Sequence, residues 1–219
     1  MLIQRIITAL ILAPAAILAI FYLPLMYFAA LLLVIIGIGA WEWGPLMGFD
    51  TKTRRIGFAA TTIVLIAGIW TVIAPNDLWV NSEKLHGYAL ALLWLAVAWW
   101  VLSAFLMFSY PNASNFWSKH RSVRGVFGWL TLVPTWLAFM VIRTNDYQTD
   151  SYHGAQLLMF LFLMVWSADV GAYFFGKAFG KNKLMPNVSP GKTFEGFLGG
   201  VASACLLVAI AAYQLAWNS

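Results

Sequence analysis

Charged side chains are scarce in this chain: Asp, Glu, Lys and Arg make up 10% of its 219 residues, against 62% hydrophobic ones, and the mean hydropathy is +0.81. A soluble globular domain carries far more polar surface, so that class is excluded and an integral membrane protein is indicated. Cysteine is nearly absent. The single Cys205, set in an apolar run, excludes an internal disulfide and a thiolate metal cluster. Histidine is limited to His86, His120 and His153, none with a metal-ligand partner at useful spacing. There is no internal repeat of fixed period, no low-complexity tract and no linker, so residues 1–219 read as one transmembrane domain.

What fills the chain is a series of apolar runs: about Ile6 to Leu23, Leu25 to Ala40, Ile56 to Ala74, Tyr88 to Phe108, Gly125 to Ile142, Gly154 to Phe175 and Gly196 to Trp217. Each approaches the roughly 20 residues a helix needs to cross a bilayer. They are continuous rather than alternating, which favours helices over membrane strands. The fold class expected is all-α, a polytopic bundle of about seven transmembrane helices. The first run is read as a span and not a cleaved signal, because Ala13-Pro14-Ala15 is a poor cleavage site and a second span follows at once. Twelve Trp and eight Tyr fall in good part near the segment ends, where aromatic belts sit.

Basic residues give an orientation. Arg5, then Lys52, Arg54 and Arg55, then Lys119, Arg121 and Arg124, then Lys177, Lys181, Lys183 and Lys192 all fall on one side; only Lys84 and Arg143 fall on the other, beside Asp77, Glu83, Asp146 and Asp150. The positive-inside rule places the first side, with the amino end, in the cytoplasm, as in a bacterial-type inner membrane. Lys84 and Arg143 are expected to be replaceable surface residues. Lys119, His120, Arg121 and Arg124 read as a topology signal or a holder of an anionic lipid headgroup.

The stretch from Ser167 to Gly200 departs from this pattern. Asp169 lies inside an apolar run, where a charge costs several kcal/mol and marks a functional site by default. On a helix, Asp169, Tyr173 and Gly176 share a face and Lys177 continues it, with Asp169 on the order of 10 Å below the first lysine. Gly171, Gly176 and Gly180 allow a backbone or a ligand to approach, and Gly176 to Gly180 also has the spacing of a helix-packing motif. Ser189-Pro190-Gly191-Lys192-Thr193 offers hydroxyls and free N–H groups at the expected start of the last helix, where anions bind. Its Gly-Lys-Thr triplet is not a Walker A loop, since Pro186 stands where that loop needs glycine. Residues 176–195 are expected to form a cytoplasmic basic loop.

At Ser167-Ala168-Asp169-Val170-Gly171-Ala172-Tyr173, at Gly176 and Gly180, and at Ser189-Pro190-Gly191-Lys192-Thr193-Phe194-Glu195-Gly196, the chain resembles the phosphatidate cytidylyltransferase (CDP-diacylglycerol synthase) family. Arg5 to Leu10 and Trp41-Glu42-Trp43 are similar to weaker landmarks of that family. The resemblance implies that CTP and phosphatidate, a membrane lipid, react to give CDP-diacylglycerol and pyrophosphate, with Mg²⁺ as cofactor. It implies Asp169, Lys192 and Glu195 as catalytic residues, Asp169 also as the metal ligand, and Ser167, Tyr173, Lys177, Lys181, Lys183, Ser189, Gly191 and Thr193 as substrate-binding residues.

The family's C-terminal segment rich in basic residues and metal-binding Asp has no counterpart before Ser219, and the cytoplasmic side offers only Glu42, Asp50, Asp169 and Glu195 as carboxylates. A chain truncated relative to the family, carrying an incomplete catalytic centre, is therefore expected. Two other classes stay open: a small transporter using Asp169 as a relay, and a non-catalytic membrane assembly subunit. Neither accounts for four lysines gathered around a Ser-Pro-Gly-Lys-Thr stretch. Nothing points to nucleic acid, and the sequence leaves a homo-oligomer open.

Overall fold

The computed structural model describes residues 2–81, 84–112 and 114–218, with side chains over 10–80, 84–112 and 114–214. Glu83 and the side chains of Arg5 and Trp217 lie outside them. The helices are α1 (Leu2–Tyr22), α2 (Leu25–Trp43, continued by a 3-10 turn, Gly44–Met47), α3 (Lys52–Val72), α4 (Gly87–Phe108), α5 (Ser114–Ser118), α6 (Arg121–Arg143), α7 (His153–Phe179) and α8 (Phe194–Asn218). A 3-10 turn (Pro75–Asp77) and two small antiparallel hairpins, β1 (Trp79–Asn81) with β2 (Lys84–Leu85) and β3 (Lys183–Met185) with β4 (Ser189–Thr193), complete the described elements.

Six of these helical segments are long and apolar enough to cross a membrane: Leu25–Met47, Lys52–Val72, Gly87–Phe108, Arg121–Arg143, His153–Phe179 and Phe194–Gln214. In α1 the shorter stretch Leu10–Tyr22 is apolar. The chain is thus an all-α polytopic integral membrane protein with six clear spans against the seven expected; α1 occupies the place of the first, but its apolar stretch is shorter. Several helices outrun their apolar cores. Lys52, Arg54 and Arg55 open α3, Arg121 and Arg124 open α6, and Lys177 closes α7. Lys and Arg are good helix formers, and their stems cover apolar surface while the charge reaches water, so nothing stops the backbone ladder at the hydrocarbon edge.

The chain divides into two compact units, 1–158 and 159–219. In the first, α6 packs against α2, α3 and α4. Lipid tails are as apolar as leucine, so membrane helices associate through close packing and hydrogen bonds rather than hydrophobic burial. Both are present. A Cβ on Gly128 would lie 2.7 Å from Trp43 Nε1 and 2.9 Å from Phe58 Cζ, so only glycine lets α2 and α3 this close to α6. Indole N–H groups then bind across helices: Trp43 Nε1 to the Arg124 carbonyl (2.9 Å), Trp136 Nε1 to the Ala29 carbonyl (3.2 Å), Trp129 Nε1 to Thr62 Oγ1 (3.1 Å) and Trp99 Nε1 to Thr131 Oγ1 (3.0 Å). These tryptophans are interior ties, not the belt residues expected from their number. Ala40, Met47 and Phe58 form the buried cluster beneath Trp43 and Trp129, with Phe58 and Trp129 stacked at 5.6 Å.

Arg143 corrects an expectation. It is not a surface residue but 2% exposed, and Nε donates to the Ile20 carbonyl (2.8 Å) while Nη1 donates to the Ser151 carbonyl (3.1 Å). Its guanidinium also sits 5.2 Å from the Tyr147 ring centroid and 5.9 Å from that of Phe28. The planar, weakly hydrated guanidinium can be buried where it satisfies several acceptors at once, and here it joins the end of α1 to the segment before α7. Arg143→Ala leaves two carbonyls without a donor and should lower stability by about 2–3 kcal/mol. Lys84→Ala, at an exposed position, should stay within about 0.5 kcal/mol. Thermal unfolding of the two variants in detergent, followed by loss of the monodisperse chromatographic peak, checks both.

Candidate active site

The unit 159–219 holds most of α7, the β3–β4 hairpin and α8. The two helices meet on a seam of small residues. A Cβ on Gly196 would lie 2.9 Å from the Ala172 carbonyl oxygen, and one on Gly200 2.9 Å from that of Ala168. A Cβ on Gly171 would strike the Ser203 side chain, and one on Gly199 the Phe175 side chain. A Cβ on Gly176 would lie 3.4 Å from Thr193 Oγ1 and 3.5 Å from the Gly196 Cα, and one on Gly180 2.8 Å from Thr193 Oγ1. These glycines thus make room for the neighbouring backbone at Gly196 and Gly200 and for the Ser203 and Phe175 side chains at Gly171 and Gly199, and the motif Gly176 to Gly180 is part of that packing.

Two local expectations change. Helix α7 runs on through Gly176 and Lys177 to Phe179, so the segment between the helices is 180–193 rather than 176–195. Ser189-Pro190-Gly191-Lys192-Thr193 is a strand, not the start of a helix: β4 pairs with β3 in the register Lys183↔Thr193 and Met185↔Ser189. The turn between them closes with Val188 N donating to the Met185 carbonyl (3.1 Å). Strand geometry alternates the side chains, which half-buries Ser189 and Thr193 and leaves Lys192 exposed. α8 begins only at Phe194, and Thr193 Oγ1 accepts the Gly196 N–H (3.2 Å), a helix N-cap bond.

The foot of the hairpin is held by Glu195 and Asn182. Glu195 Oε2 accepts the backbone N–H groups of Lys181 (3.1 Å) and Asn182 (3.2 Å), and Oε1 accepts Asn182 Nδ2 (2.7 Å). In return Phe194 N donates to the Asn182 carbonyl (2.9 Å). A carboxylate on two backbone N–H groups and an amide makes charge-assisted bonds, stronger than neutral ones, so Glu195 is committed to fixing the loop.

A cavity of about 550 Å³ opens between helix face and hairpin, lined by Asp169, Ala172, Tyr173, Gly176 and Lys177 of α7, by Leu184, Gly191, Lys192 and Thr193 of the hairpin, and by Gly196 and Phe197 of α8. The helical face read from the sequence is thus real: Asp169, Tyr173, Gly176 and Lys177 line one wall. Of the candidate residues the cavity gathers Asp169, Tyr173, Lys177, Gly191, Lys192 and Thr193. Ser167, Lys181, Lys183, Ser189 and Glu195 stand outside its lining. Ser167 Oγ donates to the Met164 carbonyl (2.8 Å) within its own helix. Lys177 Nζ rests 5.8 Å from the Tyr173 ring centroid, which orients the ammonium by a cation–π contact. Asn182 was not singled out in the sequence, because its partner is 13 residues away across a hairpin that no periodicity announces.

Chemically, the lining combines two ammonium groups and the hydroxyls of Tyr173 and Thr193 with one carboxylate, an arrangement suited to a polyanion. Among the described residues no three His, Cys, Asp or Glu side chains gather where they could hold a metal ion. Mg²⁺ is commonly held by one or two carboxylates, its other positions filled by water and substrate phosphate. Asp169 fits that pattern, and a cage made of protein ligands alone does not. Glu195→Gln should loosen the hairpin foot: tryptic cleavage after Lys181 and Lys183 in the folded protein is expected to quicken about tenfold, the loss of one to two charge-assisted bonds. Unchanged cleavage would show that the carboxylate does not hold the loop.

Comparison with known proteins identifies the family. The sequence profile of the cytidylyltransferase family matches residues 3–219. Among named relatives, the phosphatidate cytidylyltransferase of Haemophilus influenzae is 37% identical over 211 residues, covering 96% of this chain and 72% of the relative. That of Pseudomonas aeruginosa is 39% identical over 202 residues, covering 92% and 67%. That of Staphylococcus saprophyticus is 31% identical over 147 residues, covering 66% and 49%. No solved structure matches the chain. A family profile spanning nearly every residue, and the identity shared with these enzymes, place the chain in the cytidylyltransferase family.

Proposed function

We propose that the cavity of the 159–219 unit transfers a cytidylyl group from CTP to phosphatidate, producing CDP-diacylglycerol and pyrophosphate. The observation that carries this reading is the convergence of Asp169, Lys177 and Lys192, from a helix and a strand, on one cavity in a membrane enzyme family. A phosphate oxygen of the lipid attacks the α-phosphorus of CTP. The bond from that phosphorus to the oxygen bridging to the β-phosphate breaks, and pyrophosphate leaves with the electron pair. Both reactants are polyanions, so the dominant barrier is electrostatic, and cations fixed where charge develops lower it most.

Lys192, exposed at the middle of β4, meets the triphosphate, and the Thr193 hydroxyl, whose oxygen already accepts Gly196 N–H, keeps its proton for a phosphate oxygen. Gly191 has open space where a Cβ would be, which leaves the strand's backbone accessible to phosphate. Lys177, steadied on Tyr173, neutralises the second reactant. Asp169 would hold Mg²⁺, and the metal would supply Lewis-acid stabilisation of phosphate charge. Lys181 and Lys183 raise the local concentration of anions without touching them, and Glu195 acts as a positioning residue through the loop. The lysines open to the cytoplasm, where CTP is found, and the membrane is the bacterial inner membrane; the distribution of basic residues supports this orientation.

Incorporation of radiolabelled CTP into chloroform-soluble lipid, in membranes carrying the protein with phosphatidate and Mg²⁺, tests the reading. Asp169→Asn and Lys192→Ala are each expected to lower turnover about 10²–10³-fold at unchanged membrane abundance. Chelation of divalent metal should abolish the activity and Mg²⁺ should restore it. Normal turnover in either variant would overturn the site, and lipid labelling that persists in chelator would overturn the role of Asp169.

A further inference from the structure

A second cavity, in the 1–158 unit, has a different character. It measures about 340 Å³ and is lined by Trp43 and Leu46 at the end of α2, Trp117 and Ser118 of α5, and Arg124 and Phe127 of α6. Its walls are fixed. Trp43 Nε1 is tied to the Arg124 carbonyl at 2.9 Å, and Gly128 of α6 leaves room only for that indole. The Arg124 guanidinium is anchored at one corner, Nη2 donating to the Met47 carbonyl (3.3 Å), while its Nε–H is buried with no acceptor among the described residues. A buried guanidinium N–H without an acceptor is costly, because it has given up water and received nothing.

A second cation approaches the same turn. Gly48, in the left-handed conformation at φ 74°, would place a Cβ 3.6 Å from Arg121 Nε and 3.9 Å from Arg124 Nη2. Two guanidinium groups therefore flank one glycine, with Lys119 and His120 directly before them in the chain. Like charges held together in a helix's first turn repel unless an anion lies between them. Beside these cations stand two indoles and Leu46, itself 59% exposed. A free anion has no use for such walls. An anionic group attached to apolar chains at a membrane boundary uses both halves, guanidinium for phosphate and indole for the glycerol region.

We propose that this cavity is a binding site for the phosphate headgroup of an anionic phospholipid, separate from the Asp169–Lys192 cavity. Arg124 takes the phosphate from the cavity wall and Arg121, outside the lining, reaches it from beside Gly48; Ser118 adds a hydroxyl donor, and Trp43, Trp117 and Leu46 pack the glycerol and the upper acyl chains.

The test uses native mass spectrometry of the whole chain released from detergent with phosphatidylglycerol, which carries a phosphodiester and is not the acceptor of the proposed reaction. Wild type is expected to retain one phosphatidylglycerol in preference to phosphatidylcholine. Arg121→Gln, whose side chain is exposed, and Arg124→Gln should each retain it about tenfold less, the loss of one charge-assisted hydrogen bond. Lys192→Ala should retain it like wild type. Because Arg124→Gln also removes the tie to Met47, Arg121→Gln and Trp117→Ala carry the test if that variant fails to fold. Equal retention in Arg121→Gln and Trp117→Ala would overturn the proposal. So would displacement of the lipid by millimolar inorganic phosphate, which would mark a free-anion site, or a loss in Lys192→Ala equal to that in Arg121→Gln, which would move the lipid to the other cavity.

Discussion

Inside a bilayer, a helix gains almost nothing by exchanging lipid for leucine, so whatever joins one span to another has to come from close packing or from a hydrogen bond. Both units of this chain are built on that constraint. In the first, Gly128 lets α2 and α3 press against α6, and the indole N–H groups of Trp43, Trp99, Trp129 and Trp136 reach acceptors on neighbouring helices. In the second, Gly171, Gly196, Gly199 and Gly200 bring the backbones of α7 and α8 into contact. The cavity beside Asp169 lies against that seam, with Gly176 and Gly196 in its lining and Gly191, Lys192 and Thr193 of the hairpin completing it.

The hairpin turns a membrane helix pair into a site. Asp169 and Tyr173 alone would be a polar notch in an apolar helix. Lys192 and Thr193 reach the same cavity because β4 is registered on β3 and because the foot of the hairpin is clamped, Glu195 to the N–H groups of Lys181 and Asn182, and Phe194 N–H to the Asn182 carbonyl. A carboxylate that looks catalytic by its place in a motif is thus occupied with geometry. Acidic residues number eight in the whole chain; one carboxylate, Asp169, lines the cavity and another, Glu195, holds the loop beside it.

Much was legible without coordinates. Long apolar runs dictate helices because no other backbone conformation satisfies its own hydrogen bonds in hydrocarbon, so the all-α fold and the spans of α2 to α4 and α6 to α8 follow from composition. The shared face of Asp169, Tyr173, Gly176 and Lys177 follows from the 3.6-residue period of a helix, and the resemblance carried by these residues and the Ser189–Gly196 motif pointed to the family later found across residues 3–219. What stayed hidden depends on contacts between residues far apart in sequence. Arg143 read as a surface charge because nothing local reveals the Ile20 and Ser151 carbonyls that receive it.

The strand at Ser189–Thr193 was hidden for a related reason: five residues containing Pro and Gly have no strand signal of their own, and the pairing with Lys183–Met185 creates one. Tryptophans near span ends read as interfacial until their N–H partners are seen. The sequence by itself determined which segments lie in the membrane and which residue types can meet phosphate, because burial of backbone and charge is governed by composition and period. Only the tertiary structure decided which of those residues share a cavity, since that rests on glycine-width helix spacing and on hydrogen bonds that span 13 to 123 residues of chain.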